Sequence, residues 1–336
     1  METLIYAINA ILPIIILIAL GYFLRKIKLI NDDFLNTANR FVFRICLPAL
    51  LFFSIYSVDT LEAMNFEAAI FAGLALVVIF VIALIIAKYL IQDKRKRAVI
   101  VQGAISANST IIGIPLAMAL GGEVAVANVA IISLVALPLM NGLGVFVLSY
   151  YQEQKENIFK TIILRIITNP PIIGVFLGLL AIVIRSFIPL ESLTNELVFS
   201  LKDDLKFIYL PIKWLSEITS PLALIVLGGT FKFQLIKTLR KEIALGVFLR
   251  GILVPTMVLS IAVLLTLKTN LVSFNQAVYP ALIAFFASPS AITSAILAKE
   301  LKGDGDLAVQ LVVWTTVLSI FTLFGIVLLF RSFGFL

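Results

Sequence analysis

Apolar positions run together along this chain in blocks of about twenty, separated by short charged segments and without period-two alternation inside a block. A bilayer's hydrocarbon core takes about 20 helical residues. Ten blocks meet that length, at 4–24, 37–56, 68–90, 98–120, 124–149, 165–187, 210–231, 243–267, 277–297 and 307–330. Continuous runs predict helices, because a barrel strand would alternate lipid-facing and lumen-facing residues. The first block is expected to remain as a span. Met1-Glu2 stands where a signal peptide carries positive charge, and Arg25, Lys26 and Lys28 come only after the block.

Composition sharpens this picture. Of 336 residues, 61% are apolar and 13% charged, against about 25% charged in a soluble domain, and mean hydropathy is +1.12. That excludes a soluble globular protein. The least apolar stretches, 88–97 and 187–209, are shorter than the ~50 residues at which an independent domain begins. The expected class is therefore an all-α polytopic membrane protein with the lipid bilayer as its surroundings. Histidine is absent, which removes Ser-His-Asp and Cys-His nucleophiles, HExxH metal sites and histidine proton relays together. The single cysteine, Cys46, reads as a small buried hydrophobe.

Charge then orients the spans. Of the 26 Lys and Arg, 19 fall in the odd-numbered connections and 6 in the even-numbered ones and tails, while Arg250 lies inside the eighth block. Positive loops stay cytoplasmic, so both termini are expected outside a plasma membrane. The KRKR run at Lys94 to Arg97 belongs to this topology signal and gives no reason to expect a nucleic-acid partner.

Laid over itself at a shift of 182 residues, the chain aligns AISANSTIIGIPLAMALGG with FASPSAITSAILAKELKGD. Ser106 falls on Ser288, Asn108 on Ser290, Gly121 on Gly303 and Ser133 on Thr315; upstream, at a shift of about 173, Pro48 meets Pro221. Two five-span halves follow, 1–150 and 160–331. Five is odd, so the second half enters from the opposite side, the inverted repeat of many secondary transporters.

Spans 4 and 9 carry polar clusters at corresponding depths: Ser106, Asn108, Ser109 and Thr110 before Gly113 and Pro115, and Ser288, Pro289 and Ser290 before Thr293 and Ser294. Proline lacks an N–H and clashes with the preceding turn, so Gly113, Pro115 and Pro289 are predicted helix breaks, with Ser288 as N-cap of a new segment. Half-helix N-termini favour an anion, and freed carbonyls suit a cation such as Na⁺. Asn108, Ser109, Thr110, Ser288, Pro289 and Ser290 are accordingly the candidate substrate-binding residues, and Ser106, Asn141, Thr315 and Thr316 candidates for lining the path of substrate or ion. No catalytic residue, bound metal or other cofactor is expected.

These residues resemble the auxin efflux carrier family, the group of the plant PIN carriers and the bacterial malonate or malate carriers. NSTIIGIPL at Asn108 is similar to its helix 4 element, ASPSAITSAILAKELKGD at Ala287 to its helix 9, and LPALLF at Leu47, TNPPIIGVFLGLL at Thr168 and SPLALIVLGGTF at Ser220 carry the likeness through the chain. The resemblance implies ten helices with 4 and 9 crossing at the substrate. It also implies a transport domain of helices 3–5 and 8–10 moving, elevator-like, against a scaffold of helices 1, 2, 6 and 7, and a homodimer through that scaffold. Plant members' long central loop is missing; only YYQEQKENIFK joins spans 5 and 6.

The expected function is transport of a small organic anion, a carboxylate or dicarboxylate or an auxin-like acid. Glu67, Glu123 and Glu217 lie near outer span ends, so no side chain offers a mid-membrane proton relay. An enzyme lacks its nucleophile or metal cluster. A Na⁺-coupled organic-acid symporter related to bile-acid-type carriers, and a non-transporting receptor or scaffold, remain as alternatives. Arg250 has two readings, attraction of an anion and snorkelling to the headgroups, of which snorkelling is preferred on its depth.

Overall fold

The computed structural model describes residues 2–57, 65–151, 170–188, 200–231, 237–269, 272, 274 and 276–336. The start of the sixth block at 165–169 and most of the connection before it lie outside the described residues. The described residues are mostly helical and form no strand, only one isolated antiparallel bridge. Among the described residues, seven helices are long and apolar enough to cross a membrane. They are α1 (Glu2–Lys26), α2 (Asp32–Tyr56), α3 (Phe66–Leu90), α5 (Ser109–Tyr150), α7 (Lys206–Thr230), α8 (Arg240–Lys268) and α11 (Gly305–Ser332). Shorter helices are α4 (Lys94–Ile105), α6 (Pro170–Ser186), α9 (Val278–Phe286) and α10 (Ile292–Glu300).

The starts of several helices follow from side chains that accept otherwise unpaired N–H groups. Asn31 caps α2, Asn65 caps α3, Asp93 caps α4 and Asp304 caps α11. Inside the helices, three π turns occupy Val42–Cys46, Ser109–Gly113 and Leu249–Leu253, and each is followed at the second residue by a proline: Pro48, Pro115 and Pro255. A proline ring collides with the carbonyl four residues earlier and offers that carbonyl no N–H. Widening the turn moves the carbonyl aside and lets the helix continue.

Two predicted spans are divided. The fourth stops after Ile105 and resumes at Ser109, and its second part joins the fifth span across Gly121 and Gly122, whose backbone leaves the helical region. Gly122 has φ +64° and ψ −157°, a conformation that essentially only glycine adopts. The ninth span stops at Phe286 and resumes at Ile292.

Close packing follows small residues. A side chain at Gly21 would overlap the Ile225 carbonyl and one at Gly228 the Ile18 carbonyl, so α1 and α7 touch backbone to backbone. Gly174 likewise lets α6 approach Pro48 of α2. Without a hydrophobic driving force between helices in lipid, such small-residue contacts are what hold them together. Cys46 is fully buried in α2.

Candidate functional site

The break in α4 follows eight residues of its apolar run, counted from Ala98, or about 12 Å into a core of ~30 Å. There the two interrupted spans meet. Ala107 and Ser290 form an antiparallel bridge. Asn108 N donates to Pro289 O at 2.8 Å, and Ala291 N donates to Ser106 O at 3.3 Å.

Irregular backbone at this depth requires every freed carbonyl to find a donor. At the end of α4, Gly103 O accepts from Ser290 Oγ at 3.0 Å and Ala104 O from Arg250 Nη1 at 3.3 Å. On the other strand of the crossing, Phe285 O accepts from Arg250 Nη2 at 2.9 Å and from Ser288 Oγ at 3.1 Å, and Ser288 O accepts from Arg250 Nε at 2.9 Å. The freed N–H groups turn elsewhere. Ala107 N points to Met140 Sδ at 3.1 Å, and Ser290 N to Thr315 Oγ1 at 3.0 Å. Gln102 Nε2 adds a bond to Ser294 O at 3.2 Å, tying α4 to α10. Gly113 lets α5 come close to α9, since a side chain there would overlap the Ala284 carbonyl.

Two polar groups in this network have no partner: Asn108 Nδ2 and Ser109 Oγ, on residues 2% and 1% exposed. A third, Ser54 Oγ, is buried on α2. An unpaired buried donor costs about 1–3 kcal/mol. At the crossing these two groups keep hydrogen-bonding capacity that their surroundings leave unused.

The crossing thus gathers Ser106, Asn108, Ser109, Ser288, Pro289, Ser290 and Thr315 from the predicted set. Thr110 is half-buried in the adjoining π turn. Thr316 is buried but donates to Val312 O of its own helix at 2.7 Å, the usual bond of a membrane threonine. Asn141 is half-buried on α5 and takes no part in the hydrogen-bonded crossing.

Three readings change. Gly113 and Pro115 are not at the break, which falls at 106–108; both lie in helix, where the π turn has absorbed the proline. Ser288 does not cap α10, whose N-cap is Ala291; its hydroxyl bonds backward to Phe285 O instead. Arg250 does not snorkel. It is 0% exposed and donates inward to three carbonyls, because those freed carbonyls offer acceptors that the lipid cannot. Gln102 and Met140 also serve the crossing and were missed; only the polarity of Gln102 within an apolar run signalled it.

A family model described as "Membrane transport protein" matches residues 6–327, a range that contains the whole crossing. An "Uncharacterized transporter" from Methanothermobacter thermautotrophicus is 23% identical over 316 residues, covering 94% of this chain and 95% of that protein.

Proposed function

Because the chain belongs to the membrane transport protein family, that of the auxin efflux carriers, we propose that it is a secondary transporter carrying a small organic anion across the cell membrane by alternating access. The observation that carries this reading is the pair of unpaired donors, Asn108 Nδ2 and Ser109 Oγ, buried where two interrupted helices cross. A side-chain amide offers two N–H donors without fixed charge, so it can hold a carboxylate while the site faces either side.

The inverted-repeat reading, ten spans in two halves, is supported by the pairing at the crossing. Under the shift of 182, the Ala107–Ser290 bridge maps onto Asn108 opposite Pro289, and those two are also hydrogen-bonded. Elevator-like motion is supported by the distribution of bonds. The crossing is tied within α4, α5, α8, α9, α10 and α11, whereas α1 with α7 and α2 with α6 lock through glycine contacts of their own. The first set, together with α3, which packs against α5, is the transport domain and the second the scaffold, through which two copies pair as a homodimer. Charge asymmetry among the connections supports external termini. Coupling to Na⁺ at the freed carbonyls is the weaker reading, since Arg250 already fills three of them.

The test is counterflow in proteoliposomes of a radiolabelled carboxylate, chosen by thermal-shift screening of carboxylic acids in Na⁺ and in K⁺. Losing the Asn108 donors should weaken binding roughly ten- to a hundredfold, so at subsaturating substrate Asn108→Ala lowers counterflow by about that factor while Ser133→Ala retains it. Equal counterflow by parent and Asn108→Ala removes the crossing as the site.

A further inference from the structure

We propose that Arg250 is the specificity-determining charge of the crossing: its guanidinium supplies the one positive charge that a substrate carboxylate balances, so the site selects carboxylate monoanions over neutral solutes of the same shape. This deepens the transport reading and rests on it.

Arginine stays charged in proteins. Here it is fully buried, and its acceptors are the carbonyls of Ala104, Phe285 and Ser288 and the Ser288 hydroxyl at 3.5 Å, all of them neutral. These dipoles orient the guanidinium without cancelling its charge. No carboxylate faces it among the described residues. Neither α4 nor α9 contains Asp or Glu, and those of α10 and α11 are Glu300 at the last residue of one and Asp306 in the first turn of the other. On α8 itself, Glu242 lies eight residues away and is paired with Lys96 at 2.9 Å.

A buried charge without a counter-charge is costly, and an anion entering the crossing repays that cost where a neutral molecule cannot. The residues that bind Arg250 lie on both interrupted segments, with Ala104 four residues before Asn108 and Ser288 two before Ser290, so the charge is held at the same crossing as the unpaired donors of Asn108 and Ser109. Arg250 acts here as a positioning residue for backbone and field. Even across about 10 Å at an effective dielectric of about 20, a unit charge changes anion occupancy on the order of tenfold.

The charge is read with a thiol and two reagents of nearly equal size, anionic iodoacetate and neutral iodoacetamide. The full-length protein carrying Cys46→Ser and Ser109→Cys is reconstituted, and the ratio of the two alkylation rates is compared with that of free 2-mercaptoethanol. Any change in the thiol's own acidity affects both reagents alike and cancels in the ratio. The expected iodoacetate-to-iodoacetamide ratio is about tenfold or more above the free thiol's. Adding Arg250→Gln returns it to the free-thiol value, and adding Arg250→Lys, which keeps the charge, preserves most of it. A ratio no higher than the free thiol's, or one that Arg250→Gln leaves unchanged, overturns the inference while leaving the crossing as a transport path. Where Arg250→Gln fails to fold, the protein with Arg250 decides by its own ratio. If neither reagent reaches the Ser109→Cys thiol, the crossing is no path for organic solutes, and the transport reading falls together with this inference.

Discussion

Ser109 and Ser290 offer a paired test, because both are 1% exposed and sit at the same crossing yet differ in one respect. Ser290 Oγ donates to Gly103 O at 3.0 Å, whereas Ser109 Oγ has no partner. Ser290→Ala takes the donor from a carbonyl at membrane depth and should cost about 1–3 kcal/mol. Ser109→Ala deletes an unpaired buried hydroxyl from a helical turn and adds the better helix former, so it should stabilise the ligand-free protein by about 1 kcal/mol. The gap between the two variants is therefore about 2–4 kcal/mol, which at roughly 2 °C per kcal/mol places the Tm of Ser290→Ala about 4–8 °C below that of Ser109→Ala. The assay is thermal unfolding in detergent without ligand, followed by the fluorescence of Trp214 and Trp314. Counterflow adds the opposite sign: Ser109→Ala, the more stable protein, transports less, as expected when an unpaired group is kept for a ligand. Equal loss of stability in both variants, or a greater loss in Ser109→Ala, refutes the reasoning.

Two further outcomes follow from packing and from charge. Gly228→Ala places a methyl onto the Ile18 carbonyl and forces α1 from α7, an overpacking cost of about 1–3 kcal/mol or more; a melting temperature within a degree of the parent's would sink that account. In a Cys46→Ser background, an impermeant thiol reagent applied to intact cells should label Ser332→Cys and spare Lys94→Cys, and the reverse pattern would invert the proposed orientation.

Much of this architecture was legible because lipid imposes a simple rule. A span must be apolar for about 20 residues and must satisfy its own backbone, so the blocks, their helical character and the polar interruptions at Asn108 and Ser288 stand out in the chain itself. The position of each break was harder to read. Proline was the natural marker, yet Pro115 is absorbed by the π turn Ser109–Gly113, and the α4 segment stops at Ile105, nine residues before Ile114-Pro115 begins the next stretch of α-helix. What stops it is the opposite strand, which supplies Pro289 O to Asn108 N and Ala291 N to Ser106 O. Those partners lie about 180 residues away in the chain, and local propensity carries no trace of them.

The role of Arg250 divides the two kinds of information most clearly. By depth alone, an arginine eight residues into an apolar block can reach the headgroups, and nothing in its neighbours along the chain says otherwise. Only when α4 and α9 both end beside α8 do free carbonyls appear within reach of its guanidinium. The sequence by itself determined membrane residence, helical class, the family and the polar segments that meet at the crossing, since these depend on composition and on patterns within about 20 residues. The tertiary structure alone decided which carbonyls lose their helical donors, that Arg250 turns inward to them, and that the donors of Asn108 and Ser109 are left unpaired, because hydrogen-bond satisfaction at a crossing is a property of two backbones together and of neither alone.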